Sequence, residues 1–197
     1  VTTLSKENKT EIYYSWKEQN DSYWTLPSDW DIYFYFSDNS ELKDTVSGYS
    51  TALEVSYGLI GNWNFLSTVT SFNELFMGKS LFNENINNWN VSNITNMRNM
   101  FIYAATFNQP IGNWKLLNVE SLEGMFNLAT KFNQPIHTDN DKWDVSNVGN
   151  MTKMFWSASS FNQDISNWNV SNVTLMTELF RDAASFNQNL ADWNVSQ

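Results

Sequence analysis

Residues 136–144 read IHTDNDKWD, and they contain the side chains of this sequence that are best suited to metal chemistry. They include His137, the single histidine of the chain, together with Asp139, Asp141 and Asp144. A calcium ion needs several oxygen ligands, and the spacing of Asp139 and Asp141 resembles the start of an EF-hand loop. The glycine and the closing glutamate of such a loop are missing at the required offsets. We therefore predict a polar loop without a metal, and Asp139 and Asp141 are the ligands of the alternative calcium site.

Residues for covalent or acid–base catalysis form no recognisable set in this sequence. The chain has no cysteine, which excludes a thiol nucleophile, a disulfide framework and a zinc finger. His137 cannot be paired with a particular serine, and neither a G-x-S-x-G motif nor a phosphate-binding loop occurs. We predict a protein that is not an enzyme and that uses no cofactor.

Acidic residues outnumber basic residues by 21 to 11, which gives the chain a formal net charge of −10. Nucleic-acid-binding proteins need a basic surface, so this balance argues against a nucleic-acid partner. No apolar run approaches the roughly 18 residues that a membrane-spanning helix requires. We therefore predict no nucleic-acid partner and no membrane span.

An internal repeat must position any site, because it occupies most of the chain. Tryptophan recurs with spacings of 26, 25, 29, 25 and 25 residues, at Trp63, Trp89, Trp114, Trp143, Trp168 and Trp193. A Phe-Asn pair recurs with the same single long interval, beginning at Phe82, Phe107, Phe132, Phe161 and Phe186. The long interval holds the 136–144 segment, so that segment is a loop inserted into an otherwise regular array.

Each repeat changes its apolar spacing midway. The opening positions follow the LxxLxL spacing of a leucine-rich repeat, which predicts a short strand, at Ile165, Trp168 and Val170. The next apolar positions lie three or four residues apart, which predicts short helical turns, at Val173, Met176, Phe180 and Ala183. Stacked repeats would bury these side chains together. The predicted fold class is an α/β repeat solenoid of the leucine-rich-repeat type, with short parallel strands and short helical turns.

Three stretches of the chain carry a family resemblance: WNVSNITNMRNMFIYAATFNQPI at 89–111, WDVSNVGNMTKMFWSASSFNQDI at 143–165 and WNVSNVTLMTELFRDAASFNQNL at 168–190. They resemble the BspA-like leucine-rich repeats of bacterial, mycoplasmal, protist and algal-virus surface proteins. The resemblance covers residues 59–197, which we divide into five repeats and a partial sixth. It implies a right-handed leucine-rich-repeat solenoid, exposure at a cell surface, and adhesion or partner binding. It carries no catalytic residues.

Residues 1–58 lie outside the repeat and differ in composition, since they hold seven of the eight tyrosines. The alternating segments 11–17 and 31–36 predict strands, and TLPSD and SDNS predict the turns between them. We predict an aromatic-rich, β-type N-terminal cap on the first repeat. A small separate recognition domain is the alternative.

The residue after each repeat tryptophan should point away from the core, because it lies between two inward strand positions. These residues form a polar ladder, which we predict to be partner-binding, at Asn90, Lys115, Asp144, Asn169 and Asn194. The predicted function is a surface-displayed or extracellular adhesion module that presents a rigid repeat face to a protein or glycan on another surface.

The alternative function is a structural subunit of an extracellular or virion assembly, such as a fibre, a capsid decoration or a surface layer. The sequence stops at Gln197, just after a predicted strand and without a divergent closing repeat. An uncovered terminal repeat can pair with another chain, so we expect either self-assembly through terminal repeats or a longer array.

Overall fold

The computed structural model describes residues 35–48 and 60–196. Strand β1 (Tyr35–Phe36) and helix α1 (Asn39–Ser47) precede the repeat array, and the first repeat opens with a 3₁₀ turn (Ile60–Asn62) and strand β2 (Asn64–Phe65). The two strands are parallel and pair Phe36 with Phe65. In the described ranges, no helix has both the length and the apolar character that a membrane crossing requires.

Helix α1 begins where the sequence predicted only a turn. The Asp38 side chain caps the helix, because its Oδ1 accepts hydrogen bonds from the backbone N–H groups of Ser40 and Glu41. Aspartate, serine and asparagine favour both turns and helix N-termini, which is why SDNS alone did not reveal the helix. Leu42 and Val46 lie one helical turn apart and are fully buried.

Helix α1 covers the start of the first repeat. The Asn39 side chain accepts hydrogen bonds from the backbone N–H groups of Thr70 and Ser71, at 3.0 and 3.1 Å. Lys79 Nζ in turn donates to the Ser47 carbonyl at the end of the helix, at 2.7 Å. The described part of the predicted cap is therefore a helix with a two-residue strand. The predicted strand at 11–17 and most of 31–36 lie outside the described residues.

Successive repeats are joined by single parallel bridges at equivalent positions, which link Ser71, Asn96, Ser121, Asn150 and Leu175 in order. After each bridge, every second N–H donates to the next repeat. In the first repeat these donors are Phe72, Glu74, Phe76 and Gly78, at 2.8–2.9 Å. The intervening N–H groups bond within the repeat, as from Leu75 to the Phe72 carbonyl. This alternation supplies each repeat with both local turns and a link to its neighbour.

The segment predicted to form helical turns is a succession of turns instead. Two residues in each repeat, four positions apart, have positive φ and so prevent a continuous helix. In the last described repeat they are Glu178 and Asp182, with φ of 57° and 58°. The apolar spacing of three or four residues survives because these turns have nearly the period of a helix. The parallel bridges also lie in this segment. Among the described repeats, the segment that begins at the repeat tryptophan forms a strand only in the first, as β2.

The core consists of stacked aromatic rings at the apolar repeat positions. One phenylalanine series stacks at centroid distances of 5.5–5.7 Å, through Phe76, Phe101, Phe126, Phe155 and Phe180. A second series stacks at 5.7–6.0 Å, through Phe82, Phe107, Phe132, Phe161 and Phe186. Within a repeat, the two rings approach to about 4 Å, as in Phe126 and Phe132 at 3.9 Å.

The repeat tryptophans are buried as predicted, apart from Trp193, which is half-buried. Each indole N–H from Trp89 onward donates to an isoleucine carbonyl of the preceding repeat. Trp143 donates to Ile111 at 2.8 Å, and Trp168 donates to Ile136 at 2.8 Å. A buried indole N–H without a partner would be destabilising, so this bond fixes both the ring and the register between repeats.

Candidate binding surface

The five residues predicted to bind a partner lie at the surface. Asn90, Lys115, Asn169 and Asn194 are exposed, and Asp144 is half-buried. Their role in binding stays a prediction.

Four of these five side chains also stabilise their own turn. Each uses Oδ1 to accept the backbone N–H two residues later, as from Ser92 to Asn90 and from Ser171 to Asn169, both at 3.2 Å. Asp144 accepts from Ser146 at 3.0 Å. This is an Asx turn, for which asparagine and aspartate are the preferred residues. Lys115 differs, since its Nζ lies 3.7 Å from Asp141 Oδ2.

The inserted loop closes on itself. Asp139 and Lys142 form an antiparallel bridge, and Asn140 and Asp141 between them have positive φ. Asp139 Oδ1 accepts a hydrogen bond from Asn140 Nδ2 at 2.7 Å, and His137 is exposed. In the parts of the chain that the structure describes, no three histidine, aspartate or glutamate side chains come close enough to hold a metal. The Asp139 carboxylate contacts Asn140, and the Asp141 carboxylate contacts Lys115.

A second set of asparagines joins neighbouring repeats rather than facing a partner. In each repeat from Phe82 to Phe161, the Oδ1 of the asparagine that follows the phenylalanine of the second stacked series accepts the N–H of the equivalent asparagine in the next repeat. Asn108 thereby accepts from Asn133 at 2.9 Å, and Asn133 accepts from Asn162 at 2.9 Å. The following glutamine adds a bond, as from Gln163 Nε2 to Asn133 Oδ1 at 2.9 Å. These amides form a continuous ladder that holds the repeats in register.

A different surface carries most of the variation among the repeats, and reasoning from the sequence missed it. In each repeat it comprises the two residues with positive φ and the residue that precedes each of them. We call this surface the variable face. Its members are Asn73, Glu74, Met77, Gly78, Arg98, Asn99, Ile102, Tyr103, Glu123, Gly124, Asn127, Leu128, Thr152, Lys153, Trp156, Ser157, Thr177, Glu178, Arg181 and Asp182. Gly124 and Asn127 of this set are buried, so the third repeat contributes Glu123 and Leu128 to the surface. The signal was present in the sequence, because two of these four positions hold a different residue in each of the five described repeats, whereas the core phenylalanine beside them does not change.

Trp156 is held in place at the centre of a charged cluster on this face. Lys153 Nζ lies 4.7 Å from the ring centroid, and Arg181 Cζ lies 5.0 Å from it. The indole N–H donates to Asp182 Oδ2 at 3.3 Å. Glu178 pairs with both cations, at 3.5 Å from Lys153 and in direct contact with Arg181. The cation–π contacts and ion pairs restrict the ring to one orientation.

Glu178 and Arg181 of the cluster shift each other's pKa. The hydrogen bond from Arg181 lowers the pKa of Glu178 below its usual range and raises the pKa of the Arg181 guanidinium. Both shifts favour the charged forms of Glu178 and Arg181. Toward the N-terminal end, Arg98 Nε lies 3.2 Å from Glu123 in the next repeat, so this part of the face is also internally paired.

Residues 40–141 and 137–197 match the family model described as "Mycoplasma protein of unknown function, DUF285". The chain belongs to the DUF285 family. No curated protein and no solved structure matches the chain.

The DUF285 match includes more than the repeats recognised in the sequence. It begins within α1, at residue 40, and continues through the described repeats. The contacts of Asn39 and Ser47 with the first repeat give a physical reason for this extent, because the helix packs onto the array. The two matched segments meet at the inserted loop, where the array has its one long interval.

Proposed function

We propose that this DUF285 chain is a BspA-like leucine-rich-repeat solenoid that works as an adhesion or protein-binding module, displayed on a surface or secreted. In this proposal the chain acts by binding rather than by catalysis, and it recognises a protein or glycan on another surface. The polar ladder of Asn90, Lys115, Asp144, Asn169 and Asn194 belongs to the surface that it presents.

The observation that supports the proposal is the rigid construction of the array. Phenylalanine rings stack without interruption from Phe76 to Phe180, and the asparagine ladder continues from Asn83 to Asn187. Side chains mounted on such a scaffold lose little conformational freedom when a partner binds. A repeat array with a fixed outer surface is the architecture that many binding proteins use.

The test is adhesion to cells by beads coated with the purified chain. We expect more beads to bind cultured epithelial cells than control beads coated with albumin. Trypsin treatment of the cells should remove this binding if the partner is a protein, and glycosidase treatment should remove it if the partner is a glycan. Binding no greater than that of albumin beads would contradict the proposal.

A variant can test the polar ladder without disturbing its turns. The changes Asn90→Asp, Asn169→Asp and Asn194→Asp keep the Oδ acceptor of each Asx turn and add a negative charge. Combined with Lys115→Glu, they should reduce bead binding at least tenfold while circular dichroism and the melting temperature stay unchanged. Unchanged binding would remove the polar ladder from the proposed surface.

A further inference from the structure

We propose that helix α1 is a cap that takes the place of a preceding repeat, and that a repeat of a second copy of this chain binds the same surface when α1 is displaced. The surface is the side of the first repeat, at residues 69–78, that contacts α1, and we call it the first edge. The inference goes beyond the proposed adhesion, because it concerns association between copies of the chain.

The first step is a hydrogen bond in which α1 replaces a repeat. In later repeats, the N–H before each parallel bridge donates to the equivalent carbonyl of the preceding repeat, as from Thr95 to Thr70 and from Glu120 to Thr95, both at 2.8 Å. In the first repeat the equivalent donor is Thr70, and its N–H donates to Asn39 Oδ1 at 3.0 Å. The Asn39 side chain therefore stands where a backbone carbonyl of a preceding repeat would lie.

The second step is the apolar contact of the cap. Phe36 comes just before α1, and the centroid of its ring lies 4.8 Å from that of Trp63. Trp63 also stacks on Trp89 of the next repeat at 6.3 Å, so Phe36 supplies a ring that a preceding repeat would supply. Leu42 and Val46 of α1 are fully buried in the same core cluster as the repeats. The cap thus extends the core of the array as a further repeat would.

The third step is what α1 leaves unpaired. Between later repeats, alternate carbonyls accept the N–H groups of the preceding repeat, in the second repeat at Asn96, Arg98, Met100 and Ile102. The equivalent carbonyls of the first repeat have no hydrogen-bond donor among the described residues, and they are those of Ser71, Asn73, Leu75 and Met77. The cap therefore reproduces the apolar contacts of a repeat but not its row of backbone hydrogen bonds. A repeat at the first edge would supply that row.

The fourth step identifies the partner as a second copy. The missing donors are the alternate N–H groups with which one repeat of this chain bonds the next, so a repeat of the same kind presents them at the required spacing. Among the described residues, these N–H groups have no acceptor in the last repeat, at Met176, Glu178, Phe180 and Asp182. The Phe180 ring is also half-buried and available for stacking. This repeat of one copy therefore matches the first edge of another.

The cap has an advantage over a second copy because it belongs to the same chain. Its effective concentration at the first edge exceeds the concentration of a second copy in a dilute solution. Further contacts hold it there, since Lys43 Nζ lies 3.3 Å from Glu74 Oε2 and Lys79 Nζ donates to the Ser47 carbonyl at 2.7 Å. We therefore expect the parent chain to stay monomeric and association to require the loss of the α1 contacts.

The test combines Asn39→Ala, Leu42→Ser and Val46→Ser, which removes the acceptor and the two buried side chains of α1. Multi-angle light scattering measures the average mass at increasing concentration. We expect the mass to rise about threefold or more, because head-to-tail contact leaves an edge free in every complex and does not stop at a dimer. The matched control, Ser40→Ala with Asp44→Ala, changes exposed residues of the same helix and should keep the constant mass of the parent.

A further variant shows whether the association uses the repeat junction. Phe180→Asp, added to the triple variant, places a charge in the junction and should restore the mass of a single chain. Circular dichroism and tryptophan emission establish that each variant is folded. If the triple variant is unfolded, Asn39→Ala alone is measured in the same way. The inference is overturned if the folded variant stays monomeric, if its mass stops at a dimer, or if Phe180→Asp leaves the association unchanged.

Discussion

At the scale of single residues, the same amino acid does different work at different repeat positions. Asn169 accepts a hydrogen bond from Ser171 in its own turn, whereas Asn133 accepts the N–H of Asn162 in the next repeat. Both hydrogen bonds use the asparagine side-chain oxygen, which accepts a backbone N–H where no backbone carbonyl is available. Asn133 in the asparagine ladder should matter more for stability than Asn169, because loss of its side chain leaves a backbone N–H of the next repeat without an acceptor.

The change Asn133→Ala tests this at the centre of the ladder. It removes the acceptor of Asn162 N–H and of the Gln163 amide, so we expect a loss of about 1–3 kcal/mol in the free energy of unfolding. Urea unfolding followed by tryptophan fluorescence measures it. The control is Asn88→Ala, an exposed residue whose side chain makes no hydrogen bond in the described part of the chain, and its stability should change little. Equal effects of the two changes would contradict a structural role for the ladder.

At the scale of elements, the sequence predicted the period and the buried positions but not the backbone path. Phe155 and Phe180 were recognisable as core residues from spacing alone. The path of these turns depends on positive φ at residues such as Lys153 and Glu178, which no turn motif in the sequence indicates. These conformations are held by hydrogen bonds to the next repeat, so they follow from long-range contacts. The backbone of the variable face depends on the same hydrogen bonds between repeats, so reasoning from the sequence did not find that surface.

Helix α1 provides a prediction at this scale. Its Asn39 side chain accepts the N–H groups of Thr70 and Ser71, so Asn39→Ala should open the junction between the helix and the first repeat. We expect faster amide hydrogen exchange at Thr70 and Ser71, with exchange in the central repeats unchanged. Ser40→Ala is the matched control, because Ser40 is exposed and its side chain makes no hydrogen bond in the described part of the chain. Unaltered exchange at both amides in Asn39→Ala would show that the helix is held by other contacts.

At the scale of the whole molecule, each repeat is stabilised chiefly by the repeats on either side. Many of the described backbone and ring contacts run from one repeat to the next, as in Phe101 to Phe126 and Phe126 to Phe155. The stability of such an array is the sum of its repeats and of the junctions between them. This nearest-neighbour dependence predicts that the loss of stability caused by a substitution depends on the position of the substituted residue along the array.

Two equivalent phenylalanines test that dependence. Phe126 is fully buried between rings of both neighbouring repeats, whereas Phe180 is half-buried and stacks on Phe155 of the preceding repeat. Phe126→Ala should cost about 3–5 kcal/mol, and Phe180→Ala should cost clearly less, because fewer contacts are lost and water already reaches the ring. Urea unfolding with residue-resolved hydrogen exchange compares the two.

In Phe126→Ala, protection from hydrogen exchange should fall in the repeats on both sides of the substitution, since two junctions are weakened together. In Phe180→Ala, it should fall only in the last described repeats. Equal costs, or a uniform fall of protection along the chain in both variants, would mean that the array unfolds as one cooperative unit, in which the position of a lesion has no effect.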